Sequence, residues 1–192
     1  MRKVKLQMQM TINGYVAGLN GENEWMTWNP DEEFIAFLNS LLDTSDTLLL
    51  GRKTVTSGFI KFWEDTAAKN HGHPFAKKIA DIQKVVFTKT LDKSTWNNTT
   101  LAKGNLAEEI ANLKKQHGKD IIVFGGAGFV SSLIKEGLID EYNLILNPTA
   151  MDNGMTIFNL LDRIQKFTPI SAKLYSGGKV VLSYKPFDEP KT

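Results

Sequence analysis

Residues 121–130 constrain the fold of this chain more than any other segment. Four apolar residues in a row, 121–124, are typical of a strand that is buried on both faces. They run into Gly125-Gly126-Ala127-Gly128 and then into a helical pattern that begins with Phe129 and Val130. A strand that leads through a glycine-rich turn into a helix presents backbone N–H groups to an anion such as a phosphate. The same glycines also suit a tight turn that needs unusual backbone angles, so both interpretations stay open.

The spacing of these glycines differs from the G-x-G-x-x-G fingerprint of ordinary dinucleotide-binding domains. Ser131 stands where the third glycine after Gly126 and Gly128 belongs. The fingerprint also expects an acidic residue about 20 positions further on, where this chain has apolar residues such as Ile145 and Leu146. An ordinary Rossmann dehydrogenase is therefore disfavoured.

Strand and helix patterns alternate along most of the chain. Residues 4–12 alternate apolar and polar side chains, which predicts a half-buried strand, and residues 48–50 and 84–88 read as further strands. A helix is expected after Asn29, with Asn29 as N-cap and Pro30 at the first helical position. The glycines of Ser176-Gly177-Gly178 predict a hairpin near the C-terminus. We therefore expect an α/β fold: a mostly parallel central sheet flanked by helices, with a C-terminal antiparallel hairpin. Residues 1–186 would form one domain and residues 187–192 a tail.

Two further strand ends carry residues suited to phosphate. Gly51-Arg52-Lys53-Thr54 places two cations and a hydroxyl after the run 48–50. An arginine fork matches phosphate oxygens, and ligands of parallel sheets bind at the carboxyl ends of the strands. Thr88 and Lys89 follow a third strand and suit the ribose of an adenosine or its 2′-phosphate. The structural alternative for residues 51–54 is solvated surface charge, and the alternative for Thr88 and Lys89 is a polar turn.

The loop of residues 18–29 is rich in Gly and Asn and carries Trp25 and Trp28. The two indoles would form a lid or a stacking wall for a planar ring, or else plug the edge of the core. Asp31, Glu32 and Glu33 follow directly, and the helix dipole explains acidic residues in a first turn. One of them would alternatively grip an amidine-like edge of a substrate, and Glu32 is our candidate.

Composition excludes several classes of function. The net charge of +2 comes from scattered lysines and arginines, whereas a nucleic-acid surface needs a clustered basic stripe. No apolar run reaches the roughly 18 residues of a membrane span, and no signal peptide is evident. The chain has 0 Cys, which excludes thiolate chemistry and suits a cytoplasmic location. His71 and His73 flank a single glycine without a third ligand nearby, so no metal site is expected.

Four segments, in this order, resemble the dihydrofolate-reductase-like superfamily. The branch that the chain is most similar to includes the C-terminal reductase domain of the bifunctional riboflavin-biosynthesis protein, here as a stand-alone domain. The segments are Thr11-Ile12-Asn13-Gly14-Tyr15-Val16-Ala17, Leu50-Gly51-Arg52-Lys53-Thr54, Gly125-Gly126-Ala127-Gly128 and Gly137-Leu138-Ile139-Asp140-Glu141. Asn13 departs from the family, which commonly has Asp before this glycine.

The resemblance implies NADPH and hydride transfer to a small planar heterocycle, pyrimidine- or pterin-like, as in 5-amino-6-(5-phosphoribosylamino)uracil reductase. It implies that Ala17 lies near the nicotinamide. It also implies that residues 51–54, 88–89 and 125–130 hold the rest of the cofactor, and that relatives form homodimers. Candidate substrate contacts are Asn13, Trp25, Trp28 and Glu32, and no catalytic residue is identified. The alternative is a non-catalytic nucleotide- or pteridine-binding module on the same fold.

Overall fold

The computed structural model describes residues 1–69 and 74–187. His71, His73 and the predicted tail beyond Phe187 lie outside this part of the chain. The elements, in chain order, are β1 (Val4–Thr11), α1 (Glu32–Asp43), β2 (Ser45–Gly51), α2 (Arg52–Thr56), α3 (Phe59–Lys69), α4 (Pro74–Asp81), β3 (Gln83–Phe87), β4 (Thr99–Ala102), α5 (Leu106–Lys115), β5 (Asp120–Phe124), α6 (Ala127–Lys135), β6 (Glu141–Asn147), β7 (Phe167–Leu174) and β8 (Val180–Pro186).

The chain divides into two compact units, and the first consists of Met1–Arg2 and Glu32–Gly126. Its strands lie in the order β4-β3-β2-β5 and are all parallel. The apolar runs 48–50 and 121–123 have no exposed surface, as expected for parallel strands covered on both faces. Gly51 pairs with Phe87, and Phe87 pairs with Ala102. The carboxyl ends of β2, β3 and β4 therefore meet at one edge.

The second unit consists of Lys3–Asp31 and Ala127–Thr192, with the strand order β1-β6-β8-β7. Strands β1 and β6 are parallel and end together, because Thr11 pairs with Asn147. Strand β8 is antiparallel to both β6 and β7. The β7–β8 turn closes through Gly178, whose φ of +83° favours glycine. Both units together confirm the expected fold class: a mostly parallel sheet with helices and a C-terminal antiparallel hairpin.

Helix α1 corrects one expectation, because it begins at Glu32 and not after Asn29. The carbonyl of an N-cap residue normally accepts the first hydrogen bond within the helix. The Asn29 carbonyl instead lies against Gly177, so closely that a Cβ on Gly177 would clash with the oxygen. Pro30 consequently lies outside the helix. Helices α2 and α3 were not expected from the sequence.

A cavity of about 170 Å³ lies beside the antiparallel strands of the second unit. Its lining is apolar and consists of Tyr142, Leu144, Phe158, Phe167 and Tyr184. Tyr142 is 1% exposed, and its ring meets that of Phe167 edge to face at 5.0 Å. The Tyr142 hydroxyl is buried beside Gln165 without a hydrogen bond of normal geometry. Burial raises the pKa of this phenol from 10.0 to about 12.

We expect this phenol to make unfolding depend on pH in the alkaline range. Between pH 10 and pH 12 the unfolded chain releases the Tyr142 proton while the folded chain retains it, so stability falls as pH rises. Tyr142→Phe removes this pH-dependent loss of unfolding free energy, which reaches about 2 kcal/mol near pH 12. Urea unfolding of both proteins at pH 8, 10 and 11.5 measures it. Parallel pH curves for the two proteins would contradict the assignment.

Candidate functional site

The carboxyl edge of the first unit gathers three of the predicted segments. Strands β2, β3 and β5 end at Gly51, Phe87 and Phe124. The next residues along the chain are Arg52, Thr88 and Gly125. Because the strands are parallel and in register, the segments that follow them share this edge of the sheet.

Helix α2 displays the two cations predicted at this edge. It begins at Arg52, directly after Gly51, which has an ordinary extended conformation (φ −79°, ψ 152°). Arg52 and Thr54 are half-buried, and Lys53 is exposed. Within residues 1–69 and 74–187, no side chain pairs with the Arg52 guanidinium or the Lys53 ammonium. Both charges are therefore available to an anion.

Thr88 and Lys89 are engaged with neighbouring backbone. The Thr88 hydroxyl oxygen accepts hydrogen bonds from the N–H groups of Thr90 and Leu91, both at 3.1 Å. The Lys89 ammonium donates to the carbonyls of Lys103 (2.7 Å) and Gly104 (2.8 Å). Thr88 thus shapes the turn after β3, and Lys89 ties that turn to the end of β4. Arg52 and Lys53 are the better placed cations for a ligand.

The three glycines that follow β5, two before α6 and one in its first turn, serve different purposes. Gly125 and Gly126 have φ of +64° and +81°, a region that costs other residues about 1–2 kcal/mol. Turn geometry therefore accounts for these two. Gly128 is absent from the positive-φ positions, is exposed, and has no atom within 4 Å of where a Cβ would stand. Neither packing nor backbone angle within the described residues requires a glycine there, and the space in front of it is open.

The first turn of α6 comprises the predicted residues Ala127, Gly128, Phe129 and Val130. The N–H groups of a first helical turn have no partner within the helix. Val130 is completely buried and offers only its backbone. Ser131, 2% exposed, donates its hydroxyl to the Ala127 carbonyl (2.8 Å) and to the Asn159 side-chain oxygen (2.9 Å). These contacts fix the turn that carries the N–H groups.

The ends of β1 and β6 in the second unit are braced by side chains. The Thr11 hydroxyl donates to Asn13 Oδ1 at 2.8 Å, and Asn13 Nδ2 donates to the Met151 carbonyl at 2.6 Å. Asn13 Oδ1 also accepts from the Met151 N–H. The carboxylate of an Asp lacks the donor that the Asn13 amide uses here. Ala17 is half-buried, and its backbone carbonyl accepts a hydrogen bond from the Met155 N–H at 2.8 Å.

Trp25 and Trp28 differ in their surroundings. The Trp25 side chain is half-buried, and its indole N–H is buried without a partner among the residues that the structure describes. Trp28 is 62% exposed, so it does not plug the core. The backbone between them is held at Thr27, whose N–H donates to Asn147 Oδ1 at 3.3 Å. The Trp28 indole therefore stands in solvent near the carboxyl end of β6.

The acidic candidates Asp31 and Glu32 also differ in their surroundings. Asp31 accepts hydrogen bonds from the Ser176 hydroxyl (2.7 Å) and the Gly177 N–H (3.1 Å). Glu32 is the first residue of α1 and is exposed, and the described part of the chain gives its carboxylate no partner. No group of three potential metal ligands occurs among the described residues.

Two buried polar residues at the carboxyl end of β6, Asn147 and its partner Lys179, were missed by sequence reasoning. Asn147 is completely buried, and Lys179 is 1% exposed. The Lys179 ammonium donates to the Thr27 carbonyl at 2.7 Å and to Asn147 Oδ1, and burial lowers its pKa. The position of Lys179 after Ser176-Gly177-Gly178 signalled only a turn. Its partners lie 152 and 32 residues away.

A family model described as the RibD C-terminal domain matches residues 2–181. Two proteins of Bacillus subtilis (strain 168), both uncharacterized, are similar along nearly their whole length. YyaP is 30% identical over 187 residues, which cover 95% of this chain and 94% of YyaP. YwjB is 26% identical over 183 residues, which cover 95% of this chain and 97% of YwjB.

Solved structures share the fold at lower identity. A Shewanella sp. PV-4 protein with a proposed role in riboflavin biosynthesis matches 98% of this chain and 100% of its own at 21% identity, with a TM-score of 0.71. The Thermotoga maritima diaminohydroxyphosphoribosylaminopyrimidine deaminase/5-amino-6-(5-phosphoribosylamino)uracil reductase matches 97% of this chain and 57% of its own (16% identity, TM-score 0.69). A pyrimidine reductase-like protein of Corynebacterium diphtheriae matches 98% of this chain and 93% of its own (13% identity, TM-score 0.64).

No helix of the described residues has the length and apolarity to cross a membrane.

The different purposes of the glycines can be measured without any ligand. We expect Gly125→Ala to lower the free energy of unfolding by about 1–2 kcal/mol, because alanine disfavours positive φ. Gly128→Ala should raise it by up to about 0.5–1 kcal/mol, because alanine favours helix. Urea denaturation of the two variants compares them directly. A loss of stability in Gly128→Ala equal to that in Gly125→Ala would show that packing, and not open space, determines the residue at position 128.

Proposed function

The chain belongs to the RibD C-terminal domain family, and on that premise we propose that it is an NADPH-dependent reductase acting on a small planar heterocycle. Among proteins of similar fold is a uracil reductase of riboflavin biosynthesis, which supports an oxidoreductase. A pyrimidine- or pterin-like ring is the substrate class that we propose.

The observation that carries the proposal is the open space at Gly128. Gly128 lies in the first turn of α6, is exposed, and has no atom of another segment within 4 Å of where a Cβ would stand, which suits the close approach of a pyrophosphate. Helix N-termini bind phosphates through backbone N–H groups and the helix dipole. Gly125 and Gly126 set the turn, and residues 127–130 would supply the N–H groups.

The remaining candidates have consistent roles in this proposal. Arg52 and Lys53, which have no side-chain partner in the described part of the chain, would pair with cofactor phosphates, and Thr54 would add a hydroxyl. Thr88 and Lys89 would border the adenosine end, where Lys89 already holds two carbonyls. Ala17 would lie near the nicotinamide, as the resemblance to the family implies, and its hydrogen bond with Met155 fixes its backbone. The cations among these residues match the negative charge of a dinucleotide phosphate.

Bound NADPH would supply the hydride, and the protein's own contribution is orientation. Holding two reactants in a productive geometry can supply about 7–11 kcal/mol of a barrier. Trp28 would stack on the substrate ring, while Trp25, Asn13 and Glu32 would border it. No side chain is assigned as a proton donor, and we propose that water fills this role.

A non-catalytic nucleotide- or pteridine-binding module is the second candidate. It is favoured by the Asp31 carboxylate and the Asn13 amide, which both already bind protein groups. The two candidates differ in whether NADPH is consumed. Oxidation of NADPH by the purified protein with any member of a panel of pterins, pyrimidines and quinones favours the reductase, and binding without consumption favours the module.

Gly128→Ala tests the cofactor site itself. We expect at least a tenfold rise in the NADPH dissociation constant although the variant folds stably, because the added methyl group occupies the path of the pyrophosphate. Isothermal titration calorimetry measures the affinity. Gly137→Ala, a change just after α6 where a Cβ also meets nothing within 4 Å, serves as the affinity control, although its φ of +63° lowers the stability of that variant. Unchanged affinity in Gly128→Ala would remove the main support for the proposal.

Arg52→Ala tests the choice of cofactor. A charged hydrogen bond is worth about 1.5–3 kcal/mol, so the variant should bind NADPH about 10- to 150-fold more weakly and NADH nearly as before. Lys61→Ala removes a nearby cation that is paired with Asp65 at 2.8 Å and should change neither affinity. Equal losses for NADPH and NADH would reassign Arg52 from the 2′-phosphate to the pyrophosphate.

A homodimer completes the proposal. Strand β7 ends the strand order of its unit, and Ile170 and Leu174 on it are 53% and 71% exposed. Exposed apolar residues on an edge strand mark an association surface. Sedimentation velocity should find a dimer for the wild-type protein and a monomer for the double variant Ile170→Lys/Leu174→Lys. A monomeric wild-type protein at micromolar concentration would contradict this.

A further inference from the structure

The tip of the C-terminal hairpin contacts the chain on both sides of Trp28. We call residues 176–179 the hairpin tip and residues 27–31 the Trp28 segment. Lys179 binds the segment at Thr27, and Ser176 and Gly177 bind it at Asp31. The hairpin tip thus holds the Trp28 segment at two separate points, one on each side of Trp28.

The Lys179 contacts are buried. Its ammonium donates to the Thr27 carbonyl at 2.7 Å, to the Thr27 hydroxyl at 3.3 Å and to Asn147 Oδ1. Asn147 is itself held in place, because its Nδ2 donates to Gln9 Oε1 on β1 at 2.8 Å. A buried ammonium is costly unless it is hydrogen-bonded. Lys179 therefore favours the arrangement in which Thr27 stays beside β6.

On the other side of Trp28, Asp31 and Asn29 contact Ser176 and Gly177 at close range. The Asp31 carboxylate accepts from Ser176 Oγ at 2.7 Å and from the Gly177 N–H at 3.1 Å. The Asn29 carbonyl lies so close to Gly177 that a Cβ there would clash with the oxygen. Only glycine at position 177 permits this approach.

The Trp28 side chain contrasts with its anchored backbone. It is 62% exposed and has no ring or hydrogen-bond partner within residues 1–69 and 74–187. A rigid backbone that presents a large, unpacked aromatic ring is an arrangement suited to binding a planar ligand, since supporting contacts lower the ordering cost of binding.

We propose that the hairpin tip is a clamp that positions Trp28 for the substrate ring, with Lys179 and Asp31 as its positioning residues. The inference rests on the proposed function for the ligand that Trp28 meets. The clamp itself is independent of that function. Loosening it should weaken substrate binding while NADPH affinity stays the same, because neither residue is assigned a cofactor contact.

Hydrogen exchange tests the clamp without a substrate. Lys179→Met should increase amide exchange in peptides covering residues 23–31 at least tenfold, because the Thr27 anchor is lost. Lys84→Met is the matched control: Lys84 is also fully buried and donates to two backbone carbonyls, those of Ala80 and Ile82. It should leave these peptides unchanged. The exchange rates of these peptides are compared after correction for the global stability of each variant. Equal corrected rates in Lys179→Met and Lys84→Met would overturn the clamp.

Steady-state kinetics tests the purpose of the clamp. With the acceptor from the panel of pterins, pyrimidines and quinones that the wild-type protein reduces fastest, Lys179→Met and Trp28→Ala should both raise the acceptor KM severalfold. The NADPH Kd should be unchanged in both, and Lys84→Met should behave like the wild type. Faster exchange in Lys179→Met with wild-type kinetics would overturn the positioning role.

Asp31→Asn separates positioning from chemistry. The amide oxygen still accepts from Gly177, so the variant should retain wild-type kcat, whereas Asp31→Ala should raise the acceptor KM. A loss of kcat in Asp31→Asn with unchanged exchange would assign the carboxylate to the reaction and overturn its positioning role. If the wild-type protein reduces no acceptor, the reductase proposal fails, and the exchange measurement still decides whether the clamp exists.

Discussion

The structure depends on parallel strands that end in register. In the first unit Gly51 and Phe87 are paired at the ends of β2 and β3, and in the second unit Thr11 and Asn147 are paired at the ends of β1 and β6. This pairing decides which loops become neighbours within each unit. Arg52 and Thr88 share an edge for this reason, and so do Asn13 and the Thr27 backbone that Asn147 holds. Separate segments of sequence thereby contribute to common surfaces.

Most polar groups at these edges already have partners, and this narrows the candidates for ligand contact. Thr88, Lys89, Asn13 and Asp31 all bond to protein groups. Within residues 1–69 and 74–187, the groups left over include the Arg52 and Lys53 charges, the Glu32 carboxylate, the exposed Trp28 ring and the backbone at Gly128. A site built from a few available groups on a braced frame is typical of preorganised binding.

Local pattern predicted the parts of the fold that local forces determine. The run 121–124, the glycine turn and α6 followed from burial and turn chemistry. The N-cap of α5 is equally local, because the Asn105 side chain accepts from the N–H groups of Ala107 and Glu108. The start of α1 was wrong because Gly177, far along the chain, contacts Asn29. Strand β7 was missed over most of its length because Pro169 interrupts its pattern. The partner of Asn13 lies 138 residues away, so no local signal reveals it.

The central claim is that the first turn of α6 binds the pyrophosphate of NADPH. A crystal structure of the protein with NADPH tests it most directly. The account predicts pyrophosphate oxygens within hydrogen-bond distance of backbone N–H groups of residues 127–130, in front of Gly128. A dinucleotide bound elsewhere, or an empty first turn at saturating NADPH, would contradict it.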